Sequence, residues 1–308
     1  MPVRRPLSGA ARSGLAAAVR ARLAAEGLPP VWSLIATVFG DIVLPRGGTL
    51  STASLIRILD LVGVAPPAIR TALSRLVADG WLVGGRDGRR SHYRMTEAAE
   101  AESRRASERI YALPASRFDG RFQIVLLVHA TAAARQTARG RLIDQGFGAL
   151  QSDCFIRPAR AGGQDAPAPP GELRFIDAMT DAATAAAAVS AAFDVPALAE
   201  RHRRFADANA RLMAAAASAG KDPAAALAAR LLLIHGYRRL ALRDPGLPTE
   251  FMPSDLGRRP LARAVGAAYA ALLPASEAWL DAHADSGTGP LPQAAAGSLG
   301  HGRFVVAA

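Results

Sequence analysis

Cysteine is almost missing from this chain of 308 residues. Cys154 stands alone, so no intramolecular disulfide, CxxC redox pair or cysteine-rich zinc site can form, which fits a reducing cytoplasm. On its β-favouring stretch it is expected to be a small buried hydrophobe rather than a nucleophile. Long apolar runs are missing too. Arg12, Arg20 and Arg22 interrupt the Ala-rich residues 1 to 28 before any run reaches signal-peptide or membrane-spanning length, so no membrane partner is expected. The chain has no P-loop, no GxSxG, no HExxH and no Glu or His pair at catalytic spacing. A non-enzyme without a metal or resident cofactor is the expectation, and no internal repeat points to a solenoid.

Lysine is scarce as well, so nearly all of the positive charge is arginine, and the net charge is +11. The planar guanidinium fork suits phosphates and guanine edges better than an ammonium does, which makes polyanions plausible partners. GC-rich coding also raises Arg and Ala together, so the placement of the charge has to decide. Half of the residues are hydrophobic, enough for a core without disulfides or structural metal. The length implies two or three domains.

Residues 1 to 29 read as a flexible basic extension, with an amphipathic helix possible over Leu15 to Glu26. Pro29-Pro30 opens the first globular segment, residues 30 to 97. Val31, Leu34, Ile35, Val38, Phe39, Ile42 and Val43 recur at helical spacing until Pro45 stops them. A turn at Gly47-Gly48, a short strand at Leu50 to Thr52 and a second helix from Ser54 to Leu61 follow. The third helix runs from Pro66 to Ala78, with its prolines in the permitted first turn. Its core face is Ile69, Leu73, Leu76 and Val77, and the opposite face carries Arg70, Thr71, Ser74 and Arg75, a donor set suited to a major groove. Trp81 to Val83 and Arg89 to Met95 flank an Asp87-Gly88 turn, so a basic-tipped hairpin follows three helices, which is a winged helix-turn-helix pattern.

Thr96 with Glu100 gives a capping pattern for a polar connector helix, residues 98 to 117. The β-favouring run Phe122 to His129 opens a middle domain, residues 118 to 195, with a helix over 132 to 145, a strand over 152 to 156, a linker over 161 to 171, a strand over 173 to 179 and an Ala-rich helix. Alternating strands and helices imply a small α/β sandwich. Residues 196 to 284 read as an all-helical domain and 285 to 308 as a disordered tail poor in groups to bury. The expected class is α+β and multidomain.

Several stretches together resemble the PaaX-type repressors of phenylacetate catabolism. They are Ser33-Leu34-Ile35 with Phe39-Gly40-Asp41, Leu44-Pro45-Arg46-Gly47-Gly48, Arg70-Thr71-Ala72 with Arg75-Leu76-Val77, and Gly80-Trp81-Leu82. Gly88-Arg89-Arg90-Ser91 with Tyr93 and Thr96, Arg109-Ile110-Tyr111, and Asp119-Gly120-Arg121 with Ile124-Val125-Leu126 agree, as does His235-Gly236-Tyr237-Arg238-Arg239 with Leu242 to Pro245 and Leu247-Pro248. The resemblance spans residues 30 to 283 in one order and leaves the two tails outside. It implies a regulator that binds operator DNA as a homodimer in the cytoplasm and releases it on binding an aryl-coenzyme A thioester, phenylacetyl-CoA or a related acyl-CoA. It also implies a ferredoxin-like middle domain.

The candidate DNA contacts are therefore Arg70, Thr71, Ser74 and Arg75 on the third helix, and Arg86, Arg89, Arg90 and Tyr93 on the hairpin. Bases would be read by the helix and phosphates held by the hairpin. The ordinary alternative is a solvated helix face and a hairpin whose charges protect its edge. The candidate ligand contacts are His235, Tyr237, Arg238, Arg239 and Arg243, with the alternatives of a helix cap, a turn fixed by Arg243 and Asp244, or a subunit interface. A second functional class is a metal-dependent nucleic-acid or phosphate hydrolase using Asp119 or Asp153, against which stands that both occupy turn positions Asp commonly fills.

Overall fold

A computed structural model describes residues 14–113, 117–128, 131–159, 169–253, 258–295, 297–298 and 303–304 of the chain. The fold is α+β, with two small sheets among many helices. The chain divides into two compact units rather than three consecutive domains: Met1–Ala112 with Phe205–Arg239 and Arg263–Ala308, and Leu113–Arg204 with Leu240–Ala262. The helices of the segment expected as a helical domain, 196 to 284, divide between these two units. Most of the length of these long helices falls in the first unit.

In the first unit, α1 (Gly14–Glu26) precedes α2 (Val31–Val38), a π-helical turn (Phe39–Val43) and a 3-10 turn (Leu44–Arg46). The apolar periodicity does run to Pro45 as expected, but the helix widens over Phe39–Val43 and tightens again over Leu44–Arg46. Gly47 ends it at φ 87°, a conformation that favours glycine. β1 (Thr49–Ser51), α3 (Thr52–Asp60), α4 (Pro66–Ala78), β2 (Leu82–Asp87), β3 (Arg90–Met95) and α5 (Glu97–Tyr111) follow. Ser51 caps α3 by accepting from the Ser54 amide at 3.0 Å, and Thr96 caps α5 through the Ala99 amide at 3.3 Å. β3 lies between β1 and β2 in an antiparallel sheet, with Leu82 opposite Met95 and Asp87 opposite Arg90. The two strands thus extend to a tight turn rather than flanking the longer tip expected from Gly84 to Gly88.

Two expectations about the ends change. α1 is an ordered helix burying Leu15, Ala16, Ala18 and Val19, while its Arg22 donates to Asn209 at 3.1 Å, so the extension beyond residue 13 is part of the core. The expected flexibility of residues 1 to 13 lies outside the described residues. The tail expected to be disordered is docked between 285 and 295 and again at Arg303 and Phe304. The Ser51 amide donates to the Asp285 carbonyl at 3.0 Å, Arg46 Nε to the Pro292 carbonyl at 2.7 Å and the Ala295 amide to the Pro45 carbonyl at 3.0 Å. These polar anchors replace the apolar area that the segment lacks.

In the second unit, β4 (Arg121–Leu127), α6 (Ala132–Asp144), β5 (Gly148–Ala149), β6 (Cys154–Pro158), β7 (Glu172–Met179) and α7 (Ala182–Ala192) form a fully antiparallel sheet in the order β5-β6-β4-β7 with helices on both faces. Alternation along β4 sends Val125 and Leu127 to Ala138 and Leu142 of α6, and Phe122 to Ala185 and Val189 of α7. Leu198 and Ala199, on the opening turns of α8 (Val195–Ala215), close the second face. β5 is an addition to the expected strands. Its Gly148 is fixed by space, because a Cβ there would lie 2.6 Å from the Ala192 carbonyl and 2.6 Å from the Phe193 ring. Gly148→Ala is expected to cost about 1 to 3 kcal/mol, seen as a lowered urea midpoint with unchanged slope.

The remaining helices are α9 (Pro223–Arg243) and α10 (Arg258–His283). No single helix among the described residues is long and apolar enough to cross a membrane.

Candidate nucleic-acid interface

α4 buries Ile69, Leu73 and Leu76 and exposes Arg70, Thr71, Ser74 and Arg75 along the opposite face. Val77, expected in the core face, is 39% exposed and sits at its margin. The hydroxyls of Thr71 and Ser74 donate to the carbonyls of Pro67 and Arg70 at 3.1 Å each, which keeps them close to the helix with oxygen lone pairs outward. Arg75 reaches Asp79 at 3.7 Å, but both are largely exposed, so an anion from outside competes easily for this guanidinium.

The hairpin brings Arg86, Arg89 and Arg90 to the surface around Gly88, whose φ of 54° makes the turn. Tyr93 is half-buried. Its ring lies across Gly84 of the opposite strand, where a Cβ would come within 3.2 Å of it, and the His92 ring covers Gly85 in the same way. The paired glycines in β2 therefore make room for two rings of β3.

The residues from His235 onward are not gathered on one accessible surface. His235 and Tyr237 are buried, Arg238 is half-buried, and Arg239 and Arg243 are exposed. His235 Nδ1 lies 3.1 Å from Thr37 Oγ1 of α2, to which Arg238 Nη1 also donates at 3.3 Å. Burial, then the neighbouring Arg238, Arg239 and Arg22, push the His235 imidazole down to about 4. Tyr237 packs its ring against Phe205 and Phe304 at 5.9 and 5.6 Å between centroids. In the second unit, Asp244 accepts from the Gly246 amide at 2.6 Å and pairs with buried His202 at 2.5 Å. Burial alone would raise its carboxyl; the His202 hydrogen bond and the Arg258 charge reverse that and hold it low. Asp244 thus fixes the turn after α9.

A buried charge network is what the sequence reading missed. Asp41, in the π-helical turn, accepts from Arg230 Nε at 2.8 Å, Tyr111 Oη at 2.6 Å, Tyr269 Oη at 3.2 Å and Arg303 Nη1. Arg230 also donates to Glu277 at 2.5 Å, and Glu277 with Asp281 holds the buried Arg46. Desolvation would raise the Asp41 carboxyl, but Arg230 and Arg303, helped by Tyr111, hold it below the usual carboxylate range. Burial and the Asp41 charge push the Tyr111 phenol well up, so it remains a donor. A signal for this did exist: Arg230 is the lone charge in the Ala/Leu first half of α9 and Asp41 a lone charge among Phe39, Ile42 and Val43, and buried charges need partners.

The hydrolase alternative finds no support. Asp119 binds the Arg121 amide and guanidinium at 3.0 Å each, and no group of three or more His, Cys, Asp or Glu able to hold a metal occurs among the described residues. Cys154 is half-buried on β6, with its thiol pushed up by desolvation, which leaves it unactivated.

The first unit thus carries an exposed donor face on α4 and an arginine-bearing hairpin, while its buried charges are paired internally. Comparison with known proteins gives the family. A profile described as PaaX-like protein matches residues 31–99, and one described as PaaX-like protein C-terminal domain matches residues 193–282. The transcriptional repressor PaaX of Escherichia coli (strain K12) is 29% identical over 289 residues, covering 88% of this chain and 89% of that protein. Among solved structures, the uncharacterized protein Rv0674 from Mycobacterium tuberculosis is similar with a TM-score of 0.50 at 22% identity, covering 72% of this chain and 88% of that one, a likeness of fold alone. The chain belongs to the PaaX-like family.

Proposed function

We propose that this protein is a cytoplasmic transcriptional repressor of phenylacetate-type catabolic genes. The observation that carries the proposal is the exposed Arg70, Thr71, Ser74 and Arg75 face of α4, followed in the chain by the exposed arginines of the hairpin. The succession α2, β1, α3, α4, β2 and β3 supports a winged helix-turn-helix, with α4 as the reading helix and β2-β3 as the wing. The likeness to the E. coli repressor supports the same reading. In the second unit the strand order, counted along the chain as 4-1-3-2 and antiparallel throughout, supports a ferredoxin-like domain. Its second helix, α7, follows the last strand instead of preceding it.

The repressor works as a homodimer on an inverted repeat, since a two-fold protein presents two reading helices. Its effector is phenylacetyl-CoA or a related acyl-CoA. Of the residues considered for that ligand, Arg239 and Arg243 keep exposed guanidiniums for its phosphates, whereas His235, Tyr237 and Arg238 act inside the first unit.

Fluorescence anisotropy on operator DNA selected from a random library tests the reading. Arg75→Ala will weaken the selected site by about 1 to 3 kcal/mol, whereas Arg89→Ala will weaken every sequence and reduce the salt slope by about one. Equal losses from both on all sequences would remove the division of roles. In the same titration phenylacetyl-CoA will lower operator affinity roughly 5- to 150-fold and free phenylacetate will not.

A further inference from the structure

The C-terminal segment lies beyond both family-matched spans, yet it supplies a counter-charge to Asp41, which lies within one of them. It begins at α3, where the Asp285 carboxylate accepts from Ser54 Oγ and Arg57 Nη2 at 2.9 Å each. Gly287, at φ 98°, presses on β3 so closely that a Cβ there would lie 2.8 Å from the His92 Cβ. After Pro292 and Ala295 have joined it to Arg46 and Pro45, the segment reaches Arg303 and Phe304. The Arg303 guanidinium stacks 4.0 Å from the Tyr111 ring centroid and donates to Tyr269 Oη at 2.7 Å as well as to Asp41. The Phe304 amide donates to the Tyr111 carbonyl at 2.7 Å, and its ring meets Tyr111 edge-on at 5.4 Å.

Without Arg303, the buried Asp41 carboxylate keeps Arg230 as its cationic partner among the described residues, and Arg230 is shared with Glu277. The seat of Arg303 lies beside that carboxylate and over the rings of Tyr111 and Tyr269, 4.0 and 5.8 Å from their centroids, so the cation that suits it is flat and weakly hydrated, a guanidinium. The adjoining slot between Tyr111, Tyr237 and Tyr269 takes a single benzene ring. Neither Arg303 nor Phe304 belongs to a helix or strand, and Phe304 has φ 60°, a conformation that side-chain-bearing residues rarely adopt. Their attachment is therefore side-chain insertion, which can release without unravelling a secondary-structure element.

We infer that Arg303 and Phe304 are a detachable latch seated in a peptide-binding site formed by Asp41, Tyr111, Tyr237 and Tyr269, whose ligand class is an arginine followed by an aromatic residue. Seating the latch tightens the strap that begins at Asp285 and presses on α3 and β3. No DNA enters the test, so its result stands apart from the repressor reading. A fluorescent peptide of residues 299–308 is titrated into the full chain carrying Arg303→Ala and Phe304→Ala. It will bind saturably to that chain, and at least about tenfold more weakly both to the unsubstituted chain, whose own tail competes at high effective concentration, and to the chain also carrying Asp41→Asn. Equal binding to all three, or to none, overturns the site. Should the double variant misfold, amide exchange on the full-length Arg303→Ala chain decides. Exchange over residues 286–295 will rise at least about tenfold while β4 to β7 stay as in the unsubstituted protein. Unchanged exchange over 286–295 overturns the latch.

Discussion

Replacing Asp41 with alanine will lower the unfolding free energy by about 3 to 5 kcal/mol, the cost of leaving buried charge without its partner. Arg230 is fully buried and Arg303 nearly so, and both aim guanidinium nitrogens at this one carboxylate. Alanine also removes the acceptor of the Tyr111 and Tyr269 hydroxyls. The effect has a pH signature. Asp41 is held below its unfolded value of about 3.9, so its contribution is complete above about pH 4 and is lost as pH falls through the lower folded value. Urea titrations at pH 7 will therefore separate the two proteins fully, and titrations progressively below pH 4 will bring them together. A difference under about 1 kcal/mol at pH 7 would mean that the network is dispensable for stability.

What was legible in the sequence is what short-range physics decides. α4 could be placed because Pro66-Pro67 can open a helix and Asp79-Gly80 can close it, and the hairpin because Asp87-Gly88 makes a tight turn. The exposed donor face of α4 followed from the same period that buries Ile69, Leu73 and Leu76. Asp41 was legible as a lone charge in an apolar stretch and as part of a family-like triplet, but its partners were not, since the charged ones lie 189 and 262 positions away. The tail misled for a related reason: its composition offers little to bury, and its retention rests on a few polar anchors and the Arg303-Phe304 pair. The arginines after His235 looked like one anion-binding cluster in sequence. In the fold they diverge, because consecutive helical residues point in different directions and the His235 side of α9 turns toward α2.

His235 gives the second large effect. The Thr37 hydroxyl donates to the Ser33 carbonyl at 3.0 Å, so the imidazole Nδ1 must donate to Thr37 Oγ1, leaving Nε2 as a bare lone pair. Nε2 is buried with no hydrogen-bond partner among the described residues. Protonating it would place a charge in a desolvated position beside Arg238, Arg239 and Arg22, which is why folding lowers the group from 6.5 to about 4. Between those values the unfolded chain binds a proton that the folded chain refuses, so stability rises with pH across this window. It is complete above about pH 7, falls with a slope of up to about 1.4 kcal/mol per pH unit below 6.5, and has lost about 3 kcal/mol by pH 4. His235→Gln keeps a polar group beside Thr37 but cannot titrate. Urea midpoints measured at pH 7, 5.5 and 4.5 will decline more steeply for the unsubstituted protein than for His235→Gln, and parallel declines would show that another group carries the acid sensitivity.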